Sequence, residues 1–263
     1  MRQWPSPSRL TLLLAALPLA TPARAADADS LAKALSNPVA ALVSVPLQYN
    51  YDRTWGAEGY RHSVNVQPVV PVSISEDWNM ISRTILPIVH QRGVIPGRDQ
   101  SGLGDAVQSL FFSPKQPTES GLIWGIGPAA LMPTGSEALG ADTWAVGPTG
   151  VALKQNGPWT YGALFNHLVD VGGSARTDIN STFVQPFLSR AIGKGRTLGL
   201  NIEATYDWEA EQATVPVNVS FTRVARVGSQ MVSYSAGGRV YLDSPAGGPE
   251  WGVRFVVTLL YPK

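Results

Sequence analysis

Residues 43–52 alternate without interruption: Val43, Val45, Leu47, Tyr49 and Tyr51 fall on one side, and Ser44, Pro46, Gln48, Asn50 and Asp52 on the other. A period of two belongs to a β-strand with one apolar face. Residues 62–74 repeat the pattern, setting Val64, Val66, Pro68, Val70 and Val72 against Ser63, Asn65, Gln67, Val69 and Ser73. Residues 197–208 set Leu198, Leu200, Ile202, Ala204, Tyr206 and Trp208 against Thr197, Gly199, Asn201, Glu203, Thr205 and Asp207. Similar segments begin near Trp78, Asp105, Leu122, Trp144, Trp159, Ile179, Thr214, Met231 and Trp251, which makes twelve. Between Trp78 and Met132 both faces carry apolar or small residues, so the register there is the least determined.

The connections carry a second pattern. Ser75-Glu76-Asp77, Asn156-Gly157-Pro158, Gly193-Lys194-Gly195 and Val227-Gly228-Ser229 read as tight turns, and Asn156-Gly157 is a strong hairpin signal. Residues 53–60, 91–102, 133–143, 170–178 and 243–250 read as longer connections that alternate with them. Residues 114–121 and 209–213 depart from the alternation. Short turns at one end and long loops at the other are what an up-and-down barrel threaded through an outer membrane needs. Pro46, Pro68, Pro87, Pro128, Pro148, Pro186 and Pro216 each remove a ladder donor, and are expected at bulges or strand ends.

Aromatic placement separates a lipid-facing barrel from a soluble one. Trp78, Trp124, Trp159 and Tyr261 fall near the short-turn ends, and Tyr51, Trp144, Trp208 and Trp251 near the long-loop ends. Two girdles suit the two interfaces of a bilayer, whereas a soluble sandwich would bury its Trp residues centrally. The last segment aligns Phe255, Val257, Leu259 and Tyr261 on one face, like the closing strand recognised by the barrel-assembly machinery.

Ahead of the strands, residues 1–25 read as a signal peptide: Arg2 and Arg9, the apolar run 10–20, and Ala23-Arg24-Ala25 as cleavage site. Residues 27–42 read as a short helix that Asp27 or Asp29 can cap and that Asn37-Pro38 interrupts. Composition then narrows the classes. The chain has 263 residues, no Cys and 15% charged residues, which excludes a disulfide framework and a thiolate site. The formal charge of +1 becomes about −2 without Arg2, Arg9 and Arg24, no footprint of a nucleic-acid binder.

Several blocks are similar to those of a known family: Arg83-Thr84-Ile85-Leu86-Pro87; Gly102-Leu103-Gly104-Asp105 with Phe111-Phe112-Ser113-Pro114; Gly147-Pro148-Thr149 through Gly157-Pro158-Trp159-Thr160-Tyr161-Gly162; Thr205-Tyr206-Asp207-Trp208-Glu209-Ala210-Glu211; and Gly248-Pro249-Glu250-Trp251-Gly252. Together they resemble the bacterial outer-membrane transporter-like family named for the MetA pathway of phenol degradation. The resemblance covers nearly all of the exported chain. It implies a β-barrel that passes aromatic or other small apolar solutes, and it carries no binding residues over.

Candidate chemistry is sparse. His62-Ser63 and Asn166-His167 invite comparison with lipid-facing Ser, His and Asn triads, but adjacent strand residues point to opposite faces. Gly125-Ile126-Gly127-Pro128-Ala129-Ala130 imitates a dinucleotide fingerprint without the helix that gives the motif its mechanism. The informative polar feature is Glu203, Asp207, Glu209 and Glu211, which share strand parity toward one mouth, while Arg83, Arg190, Arg239 and Arg254 fall on expected inward faces.

The expected architecture is all-β: an antiparallel up-and-down transmembrane β-barrel of about 12 strands with a short N-terminal helix. Residues 1–25 are the signal peptide, 26–42 a periplasmic segment that caps or plugs the barrel, and 43–263 the barrel in a Gram-negative outer membrane. The expected function is a channel or transporter for small solutes in contact with the lipid bilayer, with no enzyme activity, cofactor, metal or nucleic-acid partner. The expected pore lining is Asn65, Gln67, Arg83, Asn201, Glu203, Asp207, Glu209, Arg239 and Arg254, with Glu203, Asp207 and Glu209 either biasing an open lumen toward cations or polarised neutral solutes or bracing Arg239 or Arg254 as salt bridges in a closed interior. A lipid-modifying barrel hydrolase and a soluble periplasmic barrel with an apolar ligand are the alternatives. The soluble version would expose the regular apolar face.

Overall fold

A computed structural model describes residues 25–53, 59–95, 98–136, 139–173 and 178–262. The expected signal peptide therefore lies outside the described residues, save its last position. The chain forms a closed antiparallel barrel of twelve staves after one helix, α1 (Ala25–Leu35). The staves are β1 (Val43–Arg53), β2 (Tyr60–Val66 with Val69–Ser73), β3 (Trp78–Ile95), β4 (Arg98–Leu103 with Ala106–Pro114), β5 (Leu122–Met132) and β6 (Thr143–Asn156). They continue as β7 (Trp159–Gly173), β8 (Asn180–Gly193), β9 (Arg196–Ile202 with Ala204–Asp207), β10 (Gln212–Thr214 with Pro216–Val227), β11 (Gln230–Tyr241) and β12 (Trp251–Tyr261). Each stave pairs with its sequence neighbours, and β12 closes on β1 along its whole length, from Val43↔Tyr261 to Arg53↔Trp251. Closure removes the edges over the body of the barrel, and the hairpin extension Arg98–Leu103 rises beyond it paired to β3 alone.

The alternation seen in the sequence becomes two walls. Outward sit Val70, Ile88, Ile126, Val171, Val219 and Phe255, with Val171 62% and Ile126 58% exposed. Inward sit Asn50, Gln67, Ser109, Thr149, Asn218 and Thr258, all buried. The aromatic rings point outward at both ends. Trp78 and Trp124 meet edge to face at 5.7 Å near the short turns, and Tyr206 and Trp208 do so at 4.7 Å near the long loops.

The structure departs from the expected pattern in three places. Residues 91–102 are no long connection, because the ladder runs on through Gln91↔Gln100, Arg92↔Asp99 and Ile95↔Arg98. Polar residues on both faces hide the strand, and a bulge at Gly93 (φ +64°) shifts the register. The turn between β6 and β7 has Gly157-Pro158 as its central pair, with Gly157 at φ +55° in the position where a II′ turn wants glycine. The prolines divide into two groups. Pro68 and Pro216 stand at interruptions of β2 and β10, and Pro87 faces the interruption of β4, its carbonyl accepting the Gly104 N–H. Pro128 and Pro148 face each other, and the ladders beyond them skip bridges, from Ser109↔Ala129 to Phe112↔Ile126 and from Val146↔Val169 to Thr149↔Asn166. Pro46 and Pro186, by contrast, lie inside continuous ladders.

Helix α1 lies across the short-turn end. Ala28 and Ala32 pack on Leu42, Val224, Met231 and Leu260. The Asp29 carboxylate accepts the N–H of Gly195 in the β8–β9 turn at 2.6 Å, where Lys194 and Gly195 both have positive φ. A Cβ on Gly195 would lie 2.9 Å from the Ala28 Cβ, so the helix approaches this turn closely because a glycine stands there. Beyond the helix the chain passes inside, and Val39 packs with Ile81, Phe111, Val151, Leu153 and Leu164.

Candidate functional site

The barrel interior holds a chamber of about 580 Å³ toward the long-loop end. Its two sides differ. Staves β1, β2 and β9–β12 present Asn50, Asp52, Arg61, Glu203, Arg239 and Arg254, while β3, β4, β7 and β8 present Ile85, Val89, Val107, Phe111, Leu164 and Phe183. One ion-pair network ties the polar side together. Arg254 meets Glu203 as a fork, Nη1 to Oε1 at 2.7 Å and Nη2 to Oε2 at 2.8 Å, and its Nε donates to Asn50 Oδ1 at 2.7 Å. Arg239 reaches Asp52 at 3.3 Å and Glu203 at 3.6 Å, and the Tyr241 hydroxyl donates to Asp52 at 3.0 Å. Paired forks of this kind are the strong form of charge-assisted hydrogen bonding. Gly252 makes room for the network: a Cβ there would stand 2.5 Å from Asp52 Oδ1 and 3.0 Å from Arg239 Cγ.

The sequence-derived pore residues separate into those in the chamber and those outside it. Asn65, Gln67, Arg83, Asn201, Glu203, Arg239 and Arg254 line it. Asp207 and Glu209 do not. The Asp207 carboxylate accepts the N–H groups of Glu209 and Ala210, both at 3.0 Å, and so shapes the β9–β10 turn, and Glu209 is exposed. Arg190 corrects another expectation, for it lies outward on β8 with its guanidinium 5.3 Å from the Trp159 ring. Its parity matches Val184 and Leu188 on the outer face. With two acids absent, the charged lining is four arginines against Asp52 and Glu203, so the expected cation bias does not match the chamber's composition. Asp52, Arg61 and Tyr241 were not singled out in the sequence. The strict alternation of residues 43–52 already placed Asp52 on the inward face, and that signal could have found it.

A second cavity of about 330 Å³ lies below the first, between the N-terminal segment and the wall, lined by Ser36, Asn37, Pro38, Ala40 and Leu42 among others. Gln67, Arg83, Gln185, Asn201 and Ser220 line both cavities and form the waist between them. Arg83 donates to Gln67 Oε1 at 3.3 Å, and Arg61 donates to Gln91 Oε1 at 2.7 Å. Among the described residues neither arginine has a carboxylate within 4 Å.

The histidines stay outside the barrel interior. Tyr49 and Thr182 hold His62 and His167 at 2.7 and 2.9 Å, and His90 Nδ1 lies 2.6 Å from Ser101 Oγ. Ser63 points inward to Asn50, away from its neighbour His62. The His90–Ser101 pair has, among the described residues, no carboxylate or amide orienting the ring's other nitrogen, so no triad is assembled. Among the described residues no three His, Asp or Glu side chains converge as a metal site.

No family model and no curated relative matches the chain. Among solved structures it is similar to the crystal structure of the COG4313 outer membrane channel from Pseudomonas putida F1, with 14% identity and a TM-score of 0.67 over 84% of this chain and 96% of that one. OmpT, an outer membrane protein of Vibrio cholerae in its trimer form, matches at a TM-score of 0.37 with 6% identity over 83% of this chain and 98% of that one. A bacterial polysaccharide outer membrane secretin matches at 0.34 with 8% identity over 84% and 99%. Likenesses that loose carry no argument, whereas the first establishes a shared fold, the closed twelve-stranded barrel.

Proposed function

We propose that the chain is an outer-membrane channel for small solutes, plugged from the periplasmic side by its own N-terminal segment. One observation carries the reading: a closed barrel turns an apolar wall outward all the way round and keeps the network of Asp52, Glu203, Arg239 and Arg254, with two cavities, inside. In water such an outer wall would be an aggregating surface, and in a bilayer it is the required one. The girdles of outward aromatics at both ends support the same placement. The resemblance to the family named for the MetA pathway of phenol degradation, and the fold shared with the COG4313 channel, support transport over catalysis. Export by the signal peptide and insertion by the barrel-assembly machinery belong to this reading.

The test is recovery of the exported protein in outer-membrane fractions, heat-modifiable gel migration, and single-channel recording after refolding into lipid. Discrete conductance steps are the expected result. A soluble periplasmic monomer, or a folded barrel that never conducts, would overturn it.

A further inference from the structure

The lining of the two cavities carries a substrate class. Glu203 has both oxygens on Arg254 and a second contact with Arg239, and Asp52 is held by Arg239 and Tyr241. That leaves Arg83, which among the described residues has no ion pair and donates to the neutral Gln67 amide oxygen, with Glu203 acting on it only from beyond ion-pair distance. A guanidinium withdrawn from bulk water without a direct ion pair is costly, so Arg83 creates a standing demand for an anion. It places that demand at the position that matters for passage. Of the five residues that line both cavities it is the one with a charge. The other four, Gln67, Gln185, Asn201 and Ser220, carry neutral groups that donate hydrogen bonds to oxygen.

The surroundings of Arg83 then select the body of the anion. Its stave belongs to the greasy side of the chamber, with Ile85 next on the same face and Phe111, Leu164 and Phe183 on neighbouring inward faces. A planar fork matches a carboxylate better than a spherical ion, and the apolar wall matches a ring or short chain rather than a hydrated ion. We propose that the waist at Arg83 binds small organic monocarboxylates with an apolar body, held by the Arg83 guanidinium and the surrounding amides with the apolar end against Ile85, Phe111 and Phe183. This rests on the channel reading and names the solute it passes.

The experiment uses the refolded full-length exported chain in detergent, with benzoate as probe, its neutral isostere benzyl alcohol as control, and inorganic phosphate as the anion without an apolar body. Calorimetric titration should show benzoate binding well above both controls. Arg83→Gln should weaken benzoate about tenfold or more, the loss expected for a charge-assisted hydrogen bond, and leave benzyl alcohol unchanged. If Arg83→Gln does not fold, Arg83→Lys keeps the charge and loses the fork, and an intermediate affinity is expected. Phosphate binding as tightly as benzoate, benzyl alcohol binding as tightly as benzoate, or unchanged benzoate affinity in a folded Arg83 variant overturns the proposal. Recording in parallel separates the two readings. Benzoate binding that depends on Arg83 in a barrel that never conducts sinks the channel and leaves the site, while conduction without benzoate binding sinks the site and leaves the channel.

Discussion

Glu203 and Arg254 face one another as a fork across the barrel interior, although two staves stand between β9 and β12 in the wall. The pair therefore braces the interior where no backbone ladder joins those staves. Glu203 and Arg254 are mostly withdrawn from solvent, with side-chain exposures of 19% and 12%. Removing Glu203 leaves Arg254, among the described residues, with the neutral Asn50 oxygen as its hydrogen-bond partner. Glu203→Gln is expected to lower stability by about 3 kcal/mol, read as a drop in the urea midpoint of the heat-modifiable band in lipid vesicles. Glu203→Gln with Arg254→Gln should cost less than the two single changes together, because the orphaned charge is gone. Strict additivity would show that the fork contributes no coupling.

Gly252 tests the same network through packing alone. An added methyl meets Tyr51 O at 2.4 Å and Asp52 Oδ1 at 2.5 Å, so either the β1–β12 ladder or the Asp52–Arg239 pair must give way. Gly252→Ala is expected to destabilise by about 1–3 kcal/mol, the usual range for overpacking, with the larger loss appearing in refolding yield. Gly238, where a Cβ would meet nothing within 4 Å, is the control, and Gly238→Ala should be nearly silent. Equal effects at both positions would remove the packing explanation.

Much of this barrel was readable from alternation, and the unreadable parts have physical causes. Where the interior is wet, as beside β1, β2 and β9, inward residues are polar and outward ones apolar, so the period shows. Where the N-terminal segment fills the interior, Val39 calls for Ile81, Phe111 and Val151 on inward faces, and the period vanishes between Trp78 and Met132. The candidate site suffered from a different loss. Parity places Glu203 and Asp207 on one face but cannot show that the chain turns at Asp207, so that its carboxylate bonds backbone N–H groups instead of facing the lumen. Shared inward parity pointed to Glu203 bracing Arg239 or Arg254, as it does with both, but the fork geometry with Arg254 is set by approach across non-neighbouring staves and leaves no mark in the sequence. Hence the sign of the lining charge emerged only with the fold.

Asp105 organises the long connection between β5 and β6. Its two oxygens accept the N–H groups of Gly135 and Ala141, at 2.8 and 2.7 Å, folding the connection back over the interruption of β4. Asp105→Ala removes both bonds, each worth about 1.5–3 kcal/mol for a charged acceptor, and should release the connection without unfolding the barrel. Hydrogen exchange at the Gly135 and Ala141 amides should rise, with ladder amides of β4 and β5 unchanged. Unaltered protection at those two amides would mean that the connection is held by other contacts.

Topology can be read with engineered thiols, since the protein has no cysteine of its own. Asn156 and Ala246 are exposed at opposite ends of the barrel, the first in a short turn and the second in a long connection. On intact cells an impermeant maleimide should label Ala246→Cys and spare Asn156→Cys, with both labelled after lysis. The reverse pattern would turn the barrel over.

The N-terminal segment should behave as a stopper. It is attached to the short-turn end by the Asp29–Gly195 bond and by Gln155 Nε2 donating to the Lys33 carbonyl at 2.9 Å. Its Ser36, Asn37, Pro38, Ala40 and Leu42 also line the lower cavity that Arg83 lines. The barrel closes through β1 and β12, and neither ladder needs this segment, so a chain lacking residues 26–42 after its signal peptide should still give a heat-modifiable barrel. With the lower cavity opened, single-channel conductance should rise. Asp29→Ala supplies the gentler version: it removes a bond from a charged acceptor, worth about 1.5–3 kcal/mol, and should produce flickering between the wild-type and the larger conductance as the helix detaches and returns. The loss of Val39 also exposes Phe111 and Ile81 to the lumen, so the truncated barrel should unfold at lower urea. A truncated barrel that folds and conducts like the parent chain would show that the segment covers the opening without closing it.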